Sequence, residues 1–325
     1  MTVFGVPALL TLTVVAGATV TPWLLRHASP ALARAPRLAT ALWAGSIAAW
    51  VLAVLAIGPL LAWMLSGPTI LGGAAAELCQ RCLDLTNPFA GPLLHTPIPA
   101  PALLAMPALT AAGIAISAIR AARQQRAATR ASARAMLVGA SRERIHGHAV
   151  WRVPDPRPFA IAYPRHTGTV VSDGALAVLT PRELAAVLAH EQAHLTQRHH
   201  SIRTVLDALA VPLRWAPVVT AAADAVPHYL EIAADDAARR RTGTTALAGA
   251  LLKLGEATPC PSPADNAPAV LHAAGPDRIR HLVAPTRAGA STGTASVSVL
   301  LLGTIAATSA VVHLPYLHAI INGCT

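Results

Sequence analysis

Four stretches of this sequence, residues 3–25, 39–65, 101–119 and 295–314, contain no Asp, Glu, Lys or Arg. At about 1.5 Å of rise per residue, each suffices as a helix to cross roughly 30 Å of hydrocarbon; the third is the weakest, and Pro107 is expected to bend it. A helix that is apolar on every side needs lipid or a deep protein core around it. The composition favours lipid. Only 12% of the 325 residues are charged, 54% are hydrophobic and the mean hydropathy is +0.50, whereas a soluble domain carries about 25% charged residues. The first run lacks the basic start of a cleaved signal peptide, so it is read as a retained span. The expected architecture is three spans in residues 1–120, an insert at 121–294, and a fourth span with a short tail at 295–325.

Arginine counts orient the spans. Three arginines (Arg26, Arg34, Arg37) follow the first run, one (Arg81) follows the second, and seven lie between Arg120 and Arg144. All three counts fit both termini outside and the insert in the cytoplasm of a multi-pass plasma-membrane protein. The net charge of +10 therefore reads as juxtamembrane arginine, and no motif for direct nucleic-acid binding accompanies it. Arg120, Arg123, Arg126, Arg130 and Arg134 recur at helical spacing, as on a solvated neck that also suits contact with anionic lipid. Cys79, Cys82 and Cys324 fall on the oxidising side of this arrangement. The spacing of Cys79 and Cys82 resembles a redox pair or half a zinc knuckle, and the disulfide partners are not readable.

The chemistry concentrates at "TPRELAAVLAHEQAHLTQRHH", residues 180–200. Thr180, Pro181 and Glu183 form the signature of a capped helix start. Leu184, Val187, Leu188 and Leu195 give the helix an apolar face. His190 and His194, four residues apart, point to one side and can grip one metal ion. Glu191 is placed to take a proton from water that the metal has made acidic, and to return it to a leaving amine. A catalytic zinc usually takes three protein ligands. His200 sits where a metzincin has its third histidine, but Gln197 replaces the glycine that turns the chain back, and no methionine follows the motif. A helix continuing through residue 200 would direct His199 and His200 away from His190 and His194.

A second segment, "PHYLEIAADDAARRRTG", offers the missing ligand. Glu231 and Asp235 share one face of an expected helix that stops at Gly243. Glu231 can ligate the metal while Asp235 accepts the free ring N–H of a ligand histidine; Asp236 lies off that face, beside Arg239 and Arg240. His228 and Tyr229 are candidates for the oxyanion-stabilising group by proximity alone. Residues 204–227, apolar but holding Asp207, Arg214 and Asp224, are read as a core or membrane-surface helix. A fifth span there would put Glu231 on the wrong side from His194. "FAIAYP" and "TGTVVSDG" read as two strands turning at residues 164–166, either a core hairpin or an edge that pairs with an extended substrate. Residues 257–276, rich in Pro and Ala, read as a loop.

Together, residues 159–200, "EIAAD" at 231–235 and "DRIRHLV" at 277–283 resemble the BlaR/MecR-type membrane metallopeptidases, gluzincins with HExxH and a downstream Glu. The related HtpX and CAAX-processing membrane peptidases share the motifs. The resemblance implies a mainly α bacterial membrane protein whose four transmembrane helices carry a cytoplasmic, zincin-like α+β metallopeptidase domain between helices 3 and 4. It implies one Zn2+ per chain held by His190, His194 and Glu231, with Glu191 as general base and Asp235 behind the ligands. It also implies a protein substrate: a BlaI/MecI-type winged-helix repressor, or the chain itself. An HtpX-like quality-control peptidase and a signal-transducing scaffold with a non-catalytic metal site are the alternatives. Only about ten residues follow the fourth run, so the penicillin-binding sensor domain of the antibiotic receptors has no counterpart here, and β-lactam sensing by that route is not expected.

Overall fold

The computed structural model describes residues 5–68, 70, 72–88, 94–164, 167–256 and 291–322. The segments 257–276 and 277–283, the turn at 165–166 and Cys324 lie outside the described residues. The chain opens with α1 (Gly5–His27), a turn of helix α2 (Ser29–Leu32), and α3 (Pro36–Leu55), which continues as α4 (Ile57–Met64). Two-residue strands β1 (Leu65–Ser66) and β2 (Leu94–His95) pair in parallel on either side of α5 (Ala74–Thr86). Helix α5 forms although Gly- and Pro-rich residues flank it on both sides. Next comes α6 (Ala100–Met136), one helix of 37 residues, so the third apolar run and the arginine neck are continuous.

Strands β3 (Ser141–Ile145), β4 (His148–Val153), β5 (Ala160–Tyr163) and β6 (Gly168–Ser172) follow, then α7 (Asp173–Val178), α8 (Pro181–Thr196), α9 (His199–Leu213), α10 (Pro217–Thr242) and α11 (Thr244–Glu256). The last described helix is α12 (Ser291–Ile321).

Four helical stretches are long and apolar enough to cross a membrane: Pro7–His27, Pro36–Met64, Ala100–Met136 and Gly293–Ala319. They pack as a bundle, α1 against α3 and α12, and α4 against α6. Close approach explains Gly58 in α4, where a Cβ would stand 2.6 Å from the Leu103 carbonyl of α6. Small residues at such crossings let backbones meet where no hydrophobic effect drives them together. A polar clasp closes the end near α5. Trp63 donates to Thr86 Oγ1 at 3.0 Å, stacks on Tyr316 with ring centroids 5.0 Å apart, and Tyr316 donates to the Pro59 carbonyl. Cys79 nearby is a free thiol and Cys82 is disulfide-bonded, so the two do not pair with each other.

At the opposite end of the bundle sits the sheet, in order β3-β4-β6-β5. β5 and β6 are antiparallel, as their sequence suggests, β4 and β6 are parallel, and β5 is an edge. Val150, Ala160 and Val171 of the sheet bury against Leu184, Val187 and Leu188 of α8, at about 1.5–3 kcal/mol for each large side chain. The other side of α8 meets α10 and α11. Helix α10 in turn packs along α3 and α1, burying Val218, Val219, Tyr229 and Ile232 with Trp43 and Ile47. Residues 204–227 thus form a helical hairpin against the spans rather than a fifth span.

Candidate active site

Helix α8 begins where its cap is made. Thr180 Oγ1 accepts from the Glu183 N–H, and the Glu183 carboxylate accepts from the Thr180 N–H at 2.8 Å. From there the 3.6-residue period turns Leu184, Val187 and Leu188 into the core. It leaves His190 and His194 facing α10.

The structure brings together the three residues that sequence spacing selects as ligands. His190 Nε2 and His194 Nε2 stand 3.0 Å apart. Glu231 places one oxygen 3.4 Å from His190 Nε2 and the other 3.5 Å from His194 Nε2. Among the described residues this is the group of His, Cys, Asp and Glu that could hold a metal ion. The edges of the triangle fit that use: ligands about 2.0–2.1 Å from a tetrahedral zinc lie about 3.3 Å from one another. His190 is almost wholly buried and presents Nδ1 to Asp235 Oδ1 at 3.0 Å, with Asp235 equally buried. That contact keeps a ring proton on Nδ1 and turns Nε2 toward the ion. Asp236 turns away and pairs with Arg239 at 3.1 Å.

Charge follows from this geometry. Burial opposes a charged His190, but the Asp235 and Glu231 carboxylates overcome it and push its pKa up to about 10. Burial also resists ionisation of Glu231, yet its hydrogen bonds with His190 and His194 hold the carboxyl well below the usual range. Together these groups act as a preformed seat for positive charge. A metal ion would take the place of the proton on His190.

Glu191 is buried beside the triangle, and burial raises its pKa, with the two histidines and a hydrogen bond from the Ala162 N–H working the other way. Ala162 belongs to edge strand β5, so the carboxylate is tied to the edge of the sheet. His194 and Glu231 are the partly exposed members of the group, and the centre is therefore approached from their side. Along it runs a cleft of about 400 Å³ whose lining includes Arg126, Arg130, Tyr163, His194, Arg198 and His200.

The expectation for His199 needs correction. Helix α8 ends at Thr196 with Gln197 as its cap, and Arg198 takes a left-handed conformation (φ 55°, ψ 34°) before α9 begins. The chain turns without the metzincin glycine. His199 swings under His194, buried, with the two Nδ1 atoms 3.0 Å apart. It therefore supports a ligand from behind instead of pointing away. Histidine spacing alone hides it, because its position depends on one non-glycine residue at positive φ. His200 lines the cleft and does not join the metal-binding group. Asp207 accepts from Gln125 and pairs with Arg203. Tyr229 is buried in the cluster with Trp43, while His228 is exposed one turn before Glu231.

A family model described as Peptidase family M48 matches residues 120–283, half of the chain, including all of α8, α9 and α10. Neither a curated protein nor a solved structure matches.

Proposed function

The chain belongs to peptidase family M48, and from that premise we propose that it is a membrane-anchored zinc endopeptidase of the gluzincin kind. The observation that carries this reading is the ligand triangle of His190, His194 and Glu231 with Glu191 buried against it. His190 and His194, through Nε2, and the Glu231 carboxylate would hold one Zn2+ per chain. The ion would supply a Lewis acid for the scissile carbonyl and acidify the attacking water.

The remaining work falls to this chain's own groups. Glu191 accepts the proton of the attacking water and delivers it to the amide nitrogen as the C–N bond breaks. Its raised pKa makes it a stronger base than an exposed glutamate. Asp235 holds the His190 tautomer. Edge strand β5 offers backbone groups to an extended substrate running past Glu191. Three ligating groups among the described residues leave a tetrahedral position open, which supports catalysis over a closed structural site.

The BlaR/MecR resemblance supports a substrate on the arginine-rich, cytoplasmic side: a winged-helix repressor of the BlaI/MecI kind, or the chain itself. A second reading, HtpX-like quality control of membrane proteins, is favoured by the closeness of the centre to the spans. Arg37 at the start of α3 donates to Gln197 Oε1 at 3.4 Å. Glu191→Gln should abolish proteolysis while zinc stays bound; cleavage at the wild-type rate would sink the mechanism. Repressor integrity, compared with turnover of misfolded membrane proteins in the same pair of strains, separates the two substrates.

A further inference from the structure

The corner between α9 and α10 lies too far along the spans to be on the membrane surface. Trp215, 65% exposed, meets Trp50 edge-on with ring centroids 5.4 Å apart. Trp50 is well inside the second span, Pro36–Met64, and its indole donates to the Val14 carbonyl of the first span at 3.1 Å. Counting from Pro36, Trp50 is about 21 Å along the helix axis. The span is about 43 Å long against roughly 30 Å of hydrocarbon. Even with the whole overhang on the Pro36 side, Trp50 sits about 8 Å inside the apolar layer. On the other flank, Val211 lines a cleft with Gly113, Ile116 and Arg120 of α6, the residues at which the third apolar run gives way to arginine.

The hairpin is built for that place. Leu213, Ala216, Val218 and Val219 are buried toward the spans, while Val205, Val211 and Trp215 are more than half exposed on the outer side. Between Asp207 and Asp224 the one charged residue is Arg214, whose long stem lets its head reach back toward water. Part of the backbone at the corner is satisfied locally. Pro212 and Pro217 carry no N–H. The Ala216 N–H donates to the Leu213 carbonyl at 2.9 Å, and the Val219 and Thr220 N–H groups donate to the Ala216 carbonyl.

We infer that α9 and α10 form a re-entrant hairpin whose corner, residues 211–215, contacts lipid acyl chains in the leaflet on the peptidase side and returns without crossing. Its outer face continues the lipid-facing surface of the spans it packs against, so the partner is hydrocarbon rather than a protein. The return arm has a purpose for the site. From Pro217 to Glu231, α10 climbs about 21 Å, which brings Glu231 and Asp235 back to the level of Arg37 and the α8 histidines.

The test uses the full chain in phosphatidylcholine vesicles, with and without bromine on the acyl chains. Tryptophan emission of wild type and of Trp215→Phe is compared, with circular dichroism confirming that both are folded. The emission lost on substitution should be blue-shifted, quenched by the brominated lipid and unaffected by iodide in the water. A lost component that iodide quenches and brominated lipid does not would overturn the inference. Emission from the other tryptophans reports separately on the premise. If brominated lipid quenches none of them, the spans are not in the bilayer; if it quenches them and spares Trp215, the hairpin alone is wrong.

Discussion

His194 holds its two ring nitrogens in different company. Nε2 faces His190 and Glu231, and Nδ1 faces His199. With a metal on Nε2, the proton must reside on Nδ1, which then donates to the Nδ1 lone pair of His199. His199 suits the acceptor role because burial and the neighbouring His194 depress its pKa to about 3 and keep it neutral. Its own proton, on Nε2, points to Gln197 Oε1 at 3.3 Å. Removing such a support typically weakens metal binding about 10–100-fold. His199→Ala should therefore lower zinc affinity by about that factor, with Asn in its place restoring part of it. Glu231→Ala should lose zinc outright, and His200→Ala should retain it. Zinc content after dialysis against a graded chelator series ranks the four variants, and a His199→Ala protein that holds zinc like wild type would refute the assignment. At this scale the sequence is legible where function follows helical spacing, as with His190, His194, Glu231 and Asp235. His199 is not legible, since Arg198 leaves the helix for a conformation that periodicity does not encode.

Helix α8 and its neighbour α11 are locked together through one carboxylate. Glu183 closes the capping box with Thr180 and also accepts from Lys253 Nζ at 2.7 Å. The Lys253 hydrogen bond, followed by that from the Thr180 backbone, holds its pKa below the ordinary value. A depressed folded-state pKa contributes stability that is fully present above the unfolded value, about 4.3, and is lost as pH falls through the folded one. Glu183→Gln keeps a capping-box acceptor and loses the charge facing Lys253, so it should cost at most about 1 kcal/mol at neutral pH, and the gap from wild type should close in acid. Denaturant titrations of both proteins at neutral and acidic pH check this, and a gap that persists in acid contradicts it. The same contact explains Gly249 of α11, where a Cβ would stand 2.6 Å from Glu183 Oε1. Alanine is the better helix former by about 1 kcal/mol, yet Gly249→Ala should lower the denaturation midpoint, because Glu183 must give up its place. The TPRE start of α8 was readable because a capping box is local. The β3–β4 hairpin was missed although its turn residues, His146 at φ 47° and Gly147 at φ 80°, suit a two-residue connection. Arg142 and Arg144 of this hairpin count with the arginines of α6 when charge alone is read. Helix α5 was hidden by the Gly- and Pro-rich residues around it.

Across the whole molecule, the two ends of the bundle differ in kind. The end near α5 carries the Trp63–Tyr316 clasp and the disulfide-bonded Cys82. The metal-binding group, Arg37 and the arginine-bearing half of α6 gather at the other. This separation follows from the one long apolar helix, α6, that joins the two ends, and is legible from counting the apolar runs. How closely the peptidase helices press on the spans was not, because the contacts of α10 with α3 join residues about 180 positions apart. If arginine sets the orientation, the α5 end faces outward. Glu77 on α5 and Arg240 near the end of α10 are both exposed, and each can carry a single introduced thiol. Glu77→Cys should react with a membrane-impermeant maleimide on intact cells beyond the wild-type background, and Arg240→Cys only after permeabilisation. The reverse pattern would place the proteolytic centre outside the cell, where a cytoplasmic repressor could not reach Glu191.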